Sequence, residues 1–594
     1  MSRGPEYVEV EAPFLDQLTS LGWKAVVGSD EEPAVTGRES FREVLIKPDL
    51  RRALRQINLR DGVPWLDDAR ISQAVSALER IASPRLMEGN EAATELLLGG
   101  HPVDGLPDWD GGRSQTVRFI DWKHPERNTF TAVQQFRVDC PGGQAKRFII
   151  PDIALFINGI PVVIVECKSP GVTAPIEQAI DQLRRYHNGR KAAGETDYNE
   201  GNERLFYTNQ FLVATCRDSA RVGTIGADVP DYLEWKDTAP VPVDAVRAEL
   251  GGKTRLNSQE RLVAGMLRPA HLLDIIRHFT IYDQRDGRTI KIVARYQQFR
   301  AVHRALERLQ TGKTRRQDGE HDRRGGIIWH TQGSGKSLTM VFLVRKLRSS
   351  KNLQHFKVVV VTDRKDLERQ LSRTAGLTGE TVQTGKSVKK VKELLRKRGS
   401  GLVFAMIQKY VDPDLEQLEP GDDVGDIGLL NDDEGILVLV DEAHRSHTNT
   451  LHANLLQALP NAARIGFTGT PIIMGAKKRT SDIFGPEIDR YTIRESEADG
   501  ATVPILYEGR TADGRVADGR DLDQVFEDMF VEHSQAELEQ IKRKYATSGA
   551  ILEAPKLIEA KARDILRHYV QHVLPAHLKA QVVAYSRRAA VTYQ

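Results

Sequence analysis

"GGIIWHTQGSGKSLTMVFLV", residues 325–344, sets a short apolar run, a glycine-rich turn and a helix-forming segment in immediate succession. A buried strand that feeds a helix in this way is the building unit of a parallel sheet covered on both faces. Further apolar runs follow: KVVVVTD (357–363), LVFAMIQ (402–408), GILVLVD (435–441) and ARIGFTG (463–469), with helical segments between several of them. The pattern predicts an α/β domain over residues 256–490 and the start of another over 491–594, which reaches one more strand-like run, AQVVAYS (580–586).

The turn carries its own chemistry. Backbone N–H groups of such a loop, with the N-terminus of the helix behind it, cradle phosphate oxygens. Gly333 and Gly335 let the backbone approach closely, and Thr331, Gln332 and Ser334 complete the loop. Lys336 would reach the β- and γ-phosphates of ATP, and the Ser337 hydroxyl would ligate Mg²⁺. The first position of the pattern is His330 rather than glycine. The run GILVLVD ends in Asp441, followed by Glu442, Ala443 and His444. An acid at the C-terminal end of a parallel strand sits where such sheets bind ligands. Asp441 would hold the Mg²⁺ and Glu442 would activate water; the plainer reading is acids placed favourably at a helix start.

Upstream, IIPDIALFINGIPVVIVECKSP (149–170) reads as two apolar strands around an Asn158-Gly159 turn. Asp152, Glu166 and Lys168 interrupt a run in which Val or Ile would pack better. Glu166 and Lys168 are two apart on one strand and share a face. A two-residue turn with regular pairing would set Asp152 opposite Val165, on the wrong face from Glu166. One extra residue in the connection sets it opposite Glu166, so the longer connection is predicted. Two acids facing each other inside a sheet cost several kcal/mol, roughly, and a cation resolves the conflict. The plainer reading is a structural ion pair with Lys168.

Composition bounds the rest. Across 594 residues, 84 Lys and Arg nearly balance 82 Asp and Glu, so net charge does not announce nucleic-acid binding. Lysine-rich stretches such as KSVKKVKELLRKR (386–398) read first as solvated helix faces. The three cysteines, Cys140, Cys167 and Cys216, lack metal-type spacing and suit a reducing cytoplasm. No apolar run has membrane-spanning length, and the acidic start resembles no secretory signal, so a cytoplasmic protein without membrane contact is expected.

These residues carry resemblances. WHTQGSGKSLTM, VVVVTDRKDLERQL, LVLVDEAHRSH and GFTGTP, in this order, resemble motifs I, Ia, II and III of superfamily 2 helicases and translocases. ARYQQFRAV is similar to the adenine-contacting Q motif, with Gln298 at the glutamine position. The resemblance implies that His444, Thr468, Gly469 and Thr470 couple ATP hydrolysis to DNA contacts. AQVVAYSRRAAVTY looks like motif IV, the start of a second RecA-like lobe. Motifs V and VI, with their arginine finger, would lie beyond Gln594, which implies a longer protein and weak hydrolysis by this chain alone.

Asp152, then thirteen residues, then Glu166-Cys167-Lys168 resembles the PD-(D/E)xK nuclease motif, spanning an expected nuclease domain over 1–255. That resemblance implies a metal held by Asp152, Glu166 and the Cys167 carbonyl, with Lys168 orienting the attacking water. Gln182 and Tyr186, one turn apart on APIEQAIDQLRRYHNG, match the accessory QxxxY helix, and Glu11 matches a weaker tendency. A nuclease followed by a superfamily 2 motor resembles the R subunit of type I restriction–modification enzymes. The resemblance implies ATP-driven translocation on double-stranded DNA and Mg²⁺-dependent cleavage of unmodified DNA. It also implies assembly with modification (M) and specificity (S) subunits, with S-adenosylmethionine bound only through M. The alternatives are a stand-alone helicase–nuclease of repair or defence and a non-enzymatic DNA-binding fragment.

Overall fold

The computed structural model describes residues 4–81, 83, 85–142, 147–189, 200–362, 367–372, 382–385, 388–406, 428–443, 457–470, 480–504, 553 and 555–594. They form two compact units, Met1–Val503 and Pro504–Gln594. Among the described residues no helix is long and apolar enough to cross a membrane.

The first unit contains two seven-stranded sheets. The first sheet runs β1 (Lys24–Val27), β2 (Phe130–Gln134), β3 (Ile153–Ile157), β4 (Ile160–Cys167), β5 (Phe211–Thr215), β6 (Ala220–Gly223) and β7 (Leu233–Glu234), in that spatial order. It is mixed: β1 lies parallel to β2 and β4 parallel to β5, while the other pairs are antiparallel. Every residue of β3 and β4 is buried, which explains their apolar character up to Glu166. One face of β4, through Val163 and Val165, packs with α1 (Ala12–Ser20), α2 (Lys47–Ile57), α3 (Asp68–Glu79) and α4 (Leu86–Gly99). The other face, through Ile164, packs on α5 (Pro175–Tyr186).

The β3–β4 turn corrects one expectation. Ile157 pairs directly with Ile160, so the connection is the two-residue Asn158-Gly159 turn and not a longer one. Both turn residues have positive φ, 54° and 77°, as a tight hairpin turn requires. The extra residue lies further along, in a bulge between Pro161 and Val163. Pro161 has no N–H to give to the ladder, and bulges are where strands tolerate proline. Beyond the bulge Val165 pairs with Ile153, a register that continues to Glu166 beside Asp152. The turn is itself buried: Asn158 Nδ2 donates to Phe119 O at 2.9 Å, and Ile46 N–H donates to Gly159 O at 2.9 Å. A side chain at Gly159 would meet Ile46 O at 2.3 Å and Leu50 N at 2.9 Å. Gly159→Ala is therefore expected to destabilise the first domain by about 2–3 kcal/mol, read as a lower urea midpoint.

A short connecting segment follows, α6 (Ser258–Leu262), a widened helical turn (Val263–Leu267) and α7 (Pro269–His278). It packs back on α1 and the residues that follow it: Gln17 Nε2 donates to Glu260 O and Trp23 Nε1 to Leu267 O, each at 2.9 Å.

The second sheet is parallel, in the order β10-β11-β9-β12-β13-β8-β14. Its strands are β8 (Gly326–His330), β9 (Lys357–Thr362), β10 (Val382–Gly385), β11 (Gly401–Met406), β12 (Ile436–Val440), β13 (Ala463–Thr468) and β14 (Glu487–Tyr491). Helices α8 (Tyr296–Thr311) and α9 (Lys336–Ser349) pack against each other, and α8 also lies against β14. The run EIDRY of β14 carries only a broken apolar signature, Ile488 and Tyr491, because its central Asp489 is buried against Arg300, Arg304 and His330.

In the second unit the expected strand AQVVAYS does not form. Val582, Val583 and Tyr585 are 50%, 85% and 63% exposed. Among the described residues of this unit there is no strand for the segment to pair with, and a lone strand leaves its backbone to water.

Candidate functional site

Two constellations stand out, one in each sheet of the first unit. In the first, Asp152, Glu6 and Glu11 each place a carboxylate oxygen within 4.8 Å of the other two. Glu11 closes a π-helical turn, Tyr7–Glu11, that precedes α1, and Glu6 is the helical residue just before that turn. Five residues make little more than one turn of such a helix, whereas on an α-helix they would diverge by about 140°. Pro13, in the first turn of α1, cannot donate to the carbonyl four residues back and crowds it, which accounts for the widening. Gln134 Nε2 fixes Glu11 by donating to Oε2 at 2.8 Å, and Ser169 N–H donates to Glu6 Oε2 at 3.2 Å.

Asp152 takes the Cys167 N–H on Oδ2 at 2.8 Å, which ties it to the end of β4. Burial raises its pKa to about 6. Glu166 stands outside the converging trio. It is fully buried, with Oε1 held by Lys168 Nζ at 2.6 Å and Oε2 without a hydrogen-bond partner. Burial first, and the neighbouring Asp152 second, push it well above the ordinary carboxylate range. Lys168 Nζ also donates to Cys167 O at 2.8 Å, so that carbonyl already has a partner. Burial pulls the Lys168 ammonium down, but Glu166 outweighs it and the net shift is upward. The Cys167 thiol is held protonated by its burial and is no nucleophile here.

On α5 the accessory pair meets as expected for one helix face: Gln182 Nε2 donates to Tyr186 Oη at 2.6 Å. Tyr186 in turn donates to Ile150 O at 3.0 Å, two residues before Asp152, and its phenol is kept neutral by burial. These residues brace the β3 entrance.

An orphaned buried carboxylate oxygen beside three converging carboxylates is a donor set of hard oxygens with too little positive charge. It fits a divalent cation. The sequence placed Asp152 and Glu166 at this centre, left Glu11 as a weak candidate and missed Glu6. The signal for Glu6 was the proline seven residues on.

The second constellation is the loop between β8 and α9. Gly333 and Gly335 have φ of 82° and 85°, so both positions need glycine. Lys336 is buried and donates Nζ to the carbonyls of His330 and Thr331, at 3.2 and 3.3 Å. Ser334 Oγ closes the loop on Thr331 O at 2.6 Å, while Gln332 is exposed and Ser337 half-buried at the start of α9. Gln298 Nε2 donates to Gly335 O at 3.0 Å, which places the glutamine of α8 on the loop. Gly469 faces the loop too: a Cβ there would lie 3.1 Å from Gln332 N and 3.5 Å from Lys336 Nζ. Thr468 is buried, its Oγ1 accepting the Thr470 N–H at 3.1 Å.

Asp441 follows β12, one strand away from β8 across β13. It is 2% exposed and accepts from Thr362 Oγ1 at 3.1 Å and from the Glu442 N–H at 3.0 Å. Glu442 has φ of +49°, an unfavourable conformation for a residue with a side chain, of the kind that concentrates at functional sites. His444 lies outside the described residues. His330, in place of the first loop glycine, is fully buried with Nε2 on Asp489 Oδ2 at 2.8 Å.

Residues 5–229 match the family model "Type I restriction enzyme R protein N terminus", and residues 297–539 match "SWI2/SNF2 ATPase". The chain is 32% identical over 609 residues to a Haemophilus influenzae protein named type I restriction enzyme HindI endonuclease subunit, covering 98% of this chain and 53% of that one. It is 29% identical over 600 residues to a Methanocaldococcus jannaschii protein provisionally named as the MjaIXP type I restriction enzyme endonuclease subunit, covering 99% and 54%. The chain thus spans about half the length of these curated relatives. A solved DNA complex of the type ISP restriction–modification enzyme LlaBIII is similar at 15% identity over 36% of this chain and 16% of that one, with a TM-score of 0.23, too low to bear on the fold.

Proposed function

We propose that this chain is the nuclease and motor portion of a type I restriction subunit, which pumps duplex DNA with ATP and cleaves it in a reaction that needs Mg²⁺. The observation that carries the proposal is the pairing, in one compact unit, of a buried carboxylate centre beside Lys168 with a glycine-bent loop after β8 and an acid, Asp441, after β12 of the same parallel sheet. The two family matches fall on these two sites in the same order.

Asp152, Glu11 and Glu6 would hold the cation, with Glu166 as the remaining buried donor. A bound cation supplies positive charge at the scissile phosphate and acidifies water. The chain's own part is to exclude bulk water, to fix Asp152 through the Cys167 N–H, and to keep a charged Lys168 Nζ at the edge of the centre. There Lys168 can orient water or meet the negative charge that grows on phosphate oxygens. At the motor, Lys336 must exchange the His330 and Thr331 carbonyls for phosphate, while Gln298 holds the loop at Gly335. DNA is read as phosphate backbone in this scheme, so binding weakens steeply with salt. Sequence choice then rests with partner M and S subunits. Cleavage of unmodified duplex by the complex assembled with those partners, requiring both ATP and Mg²⁺, tests the proposal; cleavage without ATP, or none with all components present, refutes it.

A pH dependence follows. Burial raises Asp152 to about 6 and also lifts Glu11 and Glu166. The raised Asp152 carboxyl stabilises the fold at low pH, fully below its ordinary value, and that contribution is lost as pH climbs through about 6. A cation binds the deprotonated form, so Asp152 alone is expected to raise its affinity about tenfold per pH unit below about 6, and the raised Glu11 and Glu166 add to that rise. Titration of Mn²⁺ from pH 5 to 7.5 checks this; a flat profile would remove Asp152 from the ligand set.

A further inference from the structure

Gln259 lies between the two matched segments, yet its side chain is 1% exposed and reaches the carboxylate centre's supports on two sides. Its Nε2 donates to Val10 O at 3.1 Å, and its Oε1 accepts from Thr215 Oγ1 at 2.8 Å. Its own N–H is fixed on Arg217 O at 3.1 Å. Val10 sits in the widened turn, one residue before Glu11. Thr215 pairs with Cys167 across the β4–β5 ladder, and its carbonyl accepts the Lys168 N–H at 2.9 Å. One amide therefore spans from the turn that presents Glu6 and Glu11 to the strands that present Glu166 and Lys168.

We infer that Gln259 is a positioning residue of the carboxylate centre, setting the separation between its helical and its strand-borne carboxylates. The inference rests on the reading of that centre as a cation site. The geometry leaves few substitutes. Asparagine is one methylene too short to reach both partners, and glutamate keeps the Thr215 bond but cannot donate to Val10 O. Gln17 of α1 and Trp23 just after it clamp the same connecting segment, so the amide is held from behind rather than by the centre itself. Groups that orient metal ligands from behind typically change metal affinity by about ten- to a hundredfold when removed.

The experiment is a Mn²⁺ titration of the full 594-residue chain without nucleotide, followed by electron paramagnetic resonance, with Asp152→Asn identifying the signal of this centre. Gln259→Met and Thr215→Val are expected to raise the Mn²⁺ Kd by about ten- to a hundredfold, while Thr215→Ser, which keeps the hydroxyl, stays within about twofold of the parent. If Gln259→Met does not fold, the Thr215 pair decides alone. Unchanged Kd in Gln259→Met and Thr215→Val overturns the inference, as does a Thr215→Ser variant as weak as Thr215→Val. Absence of any Asp152-dependent Mn²⁺ binding in the parent chain instead overturns the cation site, and the role of Gln259 with it.

Discussion

Lys168→Ala is expected to lower DNA cleavage by the assembled enzyme by about a hundred- to ten-thousand-fold, the range over which a positioned proton-handling group contributes. Cation binding should survive. The ammonium sits on Glu166 Oε1 and on Cys167 O, so its removal takes a competing positive charge away from the centre. Mn²⁺ affinity is therefore expected to stay equal or to rise while cleavage falls. A residue that merely braced the fold would move both quantities down together. Glu166 is already raised by burial, and loss of the Lys168 ammonium removes a charge that lowers it, so the variant favours a neutral Glu166 over an unpaired buried charge. ATP hydrolysis, measured on the same preparation, should be unchanged. Cleavage within a few-fold of the parent would remove Lys168 from the chemistry and leave it as the counter-ion of Glu166.

The contrast between the two sites shows what a sequence can convey. The phosphate loop is contiguous: glycines, lysine and serine lie within a few residues, and each has a local reason to be where it is. Four of its partner strands, β9, β11, β12 and β13, follow as apolar runs that need no tertiary information to recognise. The carboxylate centre is assembled from 6, 11, 152 and 166, and its register hung on one inserted residue. Pro161, not the turn, absorbs that residue; the sequence displayed the proline, but strand pairing had to be seen to show that it made the bulge. Glu6 aligns with Glu11 only because Pro13 widens the helix, a consequence that α-helical periodicity hides. Gln259 is more distant still, 249 residues from the Val10 carbonyl it reaches, and nothing in its neighbourhood marks it as anything but a helix-start residue. The strand β14 is illegible for the opposite reason: its central buried residue, Asp489, is paired with arginines and a histidine from other elements, which leaves only Ile488 and Tyr491 as apolar trace.

Lys336→Ala is expected to abolish nucleotide-dependent behaviour while leaving the carboxylate centre intact. In the proposed reading Lys336 is the cation of a loop whose N–H groups otherwise hold phosphate through dipoles, and its Nζ donates to two loop carbonyls. Removing it both unpins the loop and withdraws charge from the phosphoryl oxygens where negative charge accumulates during transfer. Loss of one such donor costs about a hundred- to a thousandfold in rate. DNA-stimulated ATP hydrolysis by the complex should fall by at least that factor, and ATP-dependent cleavage with it. Mn²⁺ titration at the carboxylate centre should be indistinguishable from the parent, because that centre is built on β3, β4 and the Tyr7–Glu11 turn and shares no side chain with the loop. Together with Lys168→Ala the pair forms a double dissociation: one variant burns ATP without cutting, the other holds its cation without burning ATP. If Lys336→Ala still cleaved DNA in an ATP-dependent manner, the loop would be a structural turn and the motor would have to be sought elsewhere in the chain.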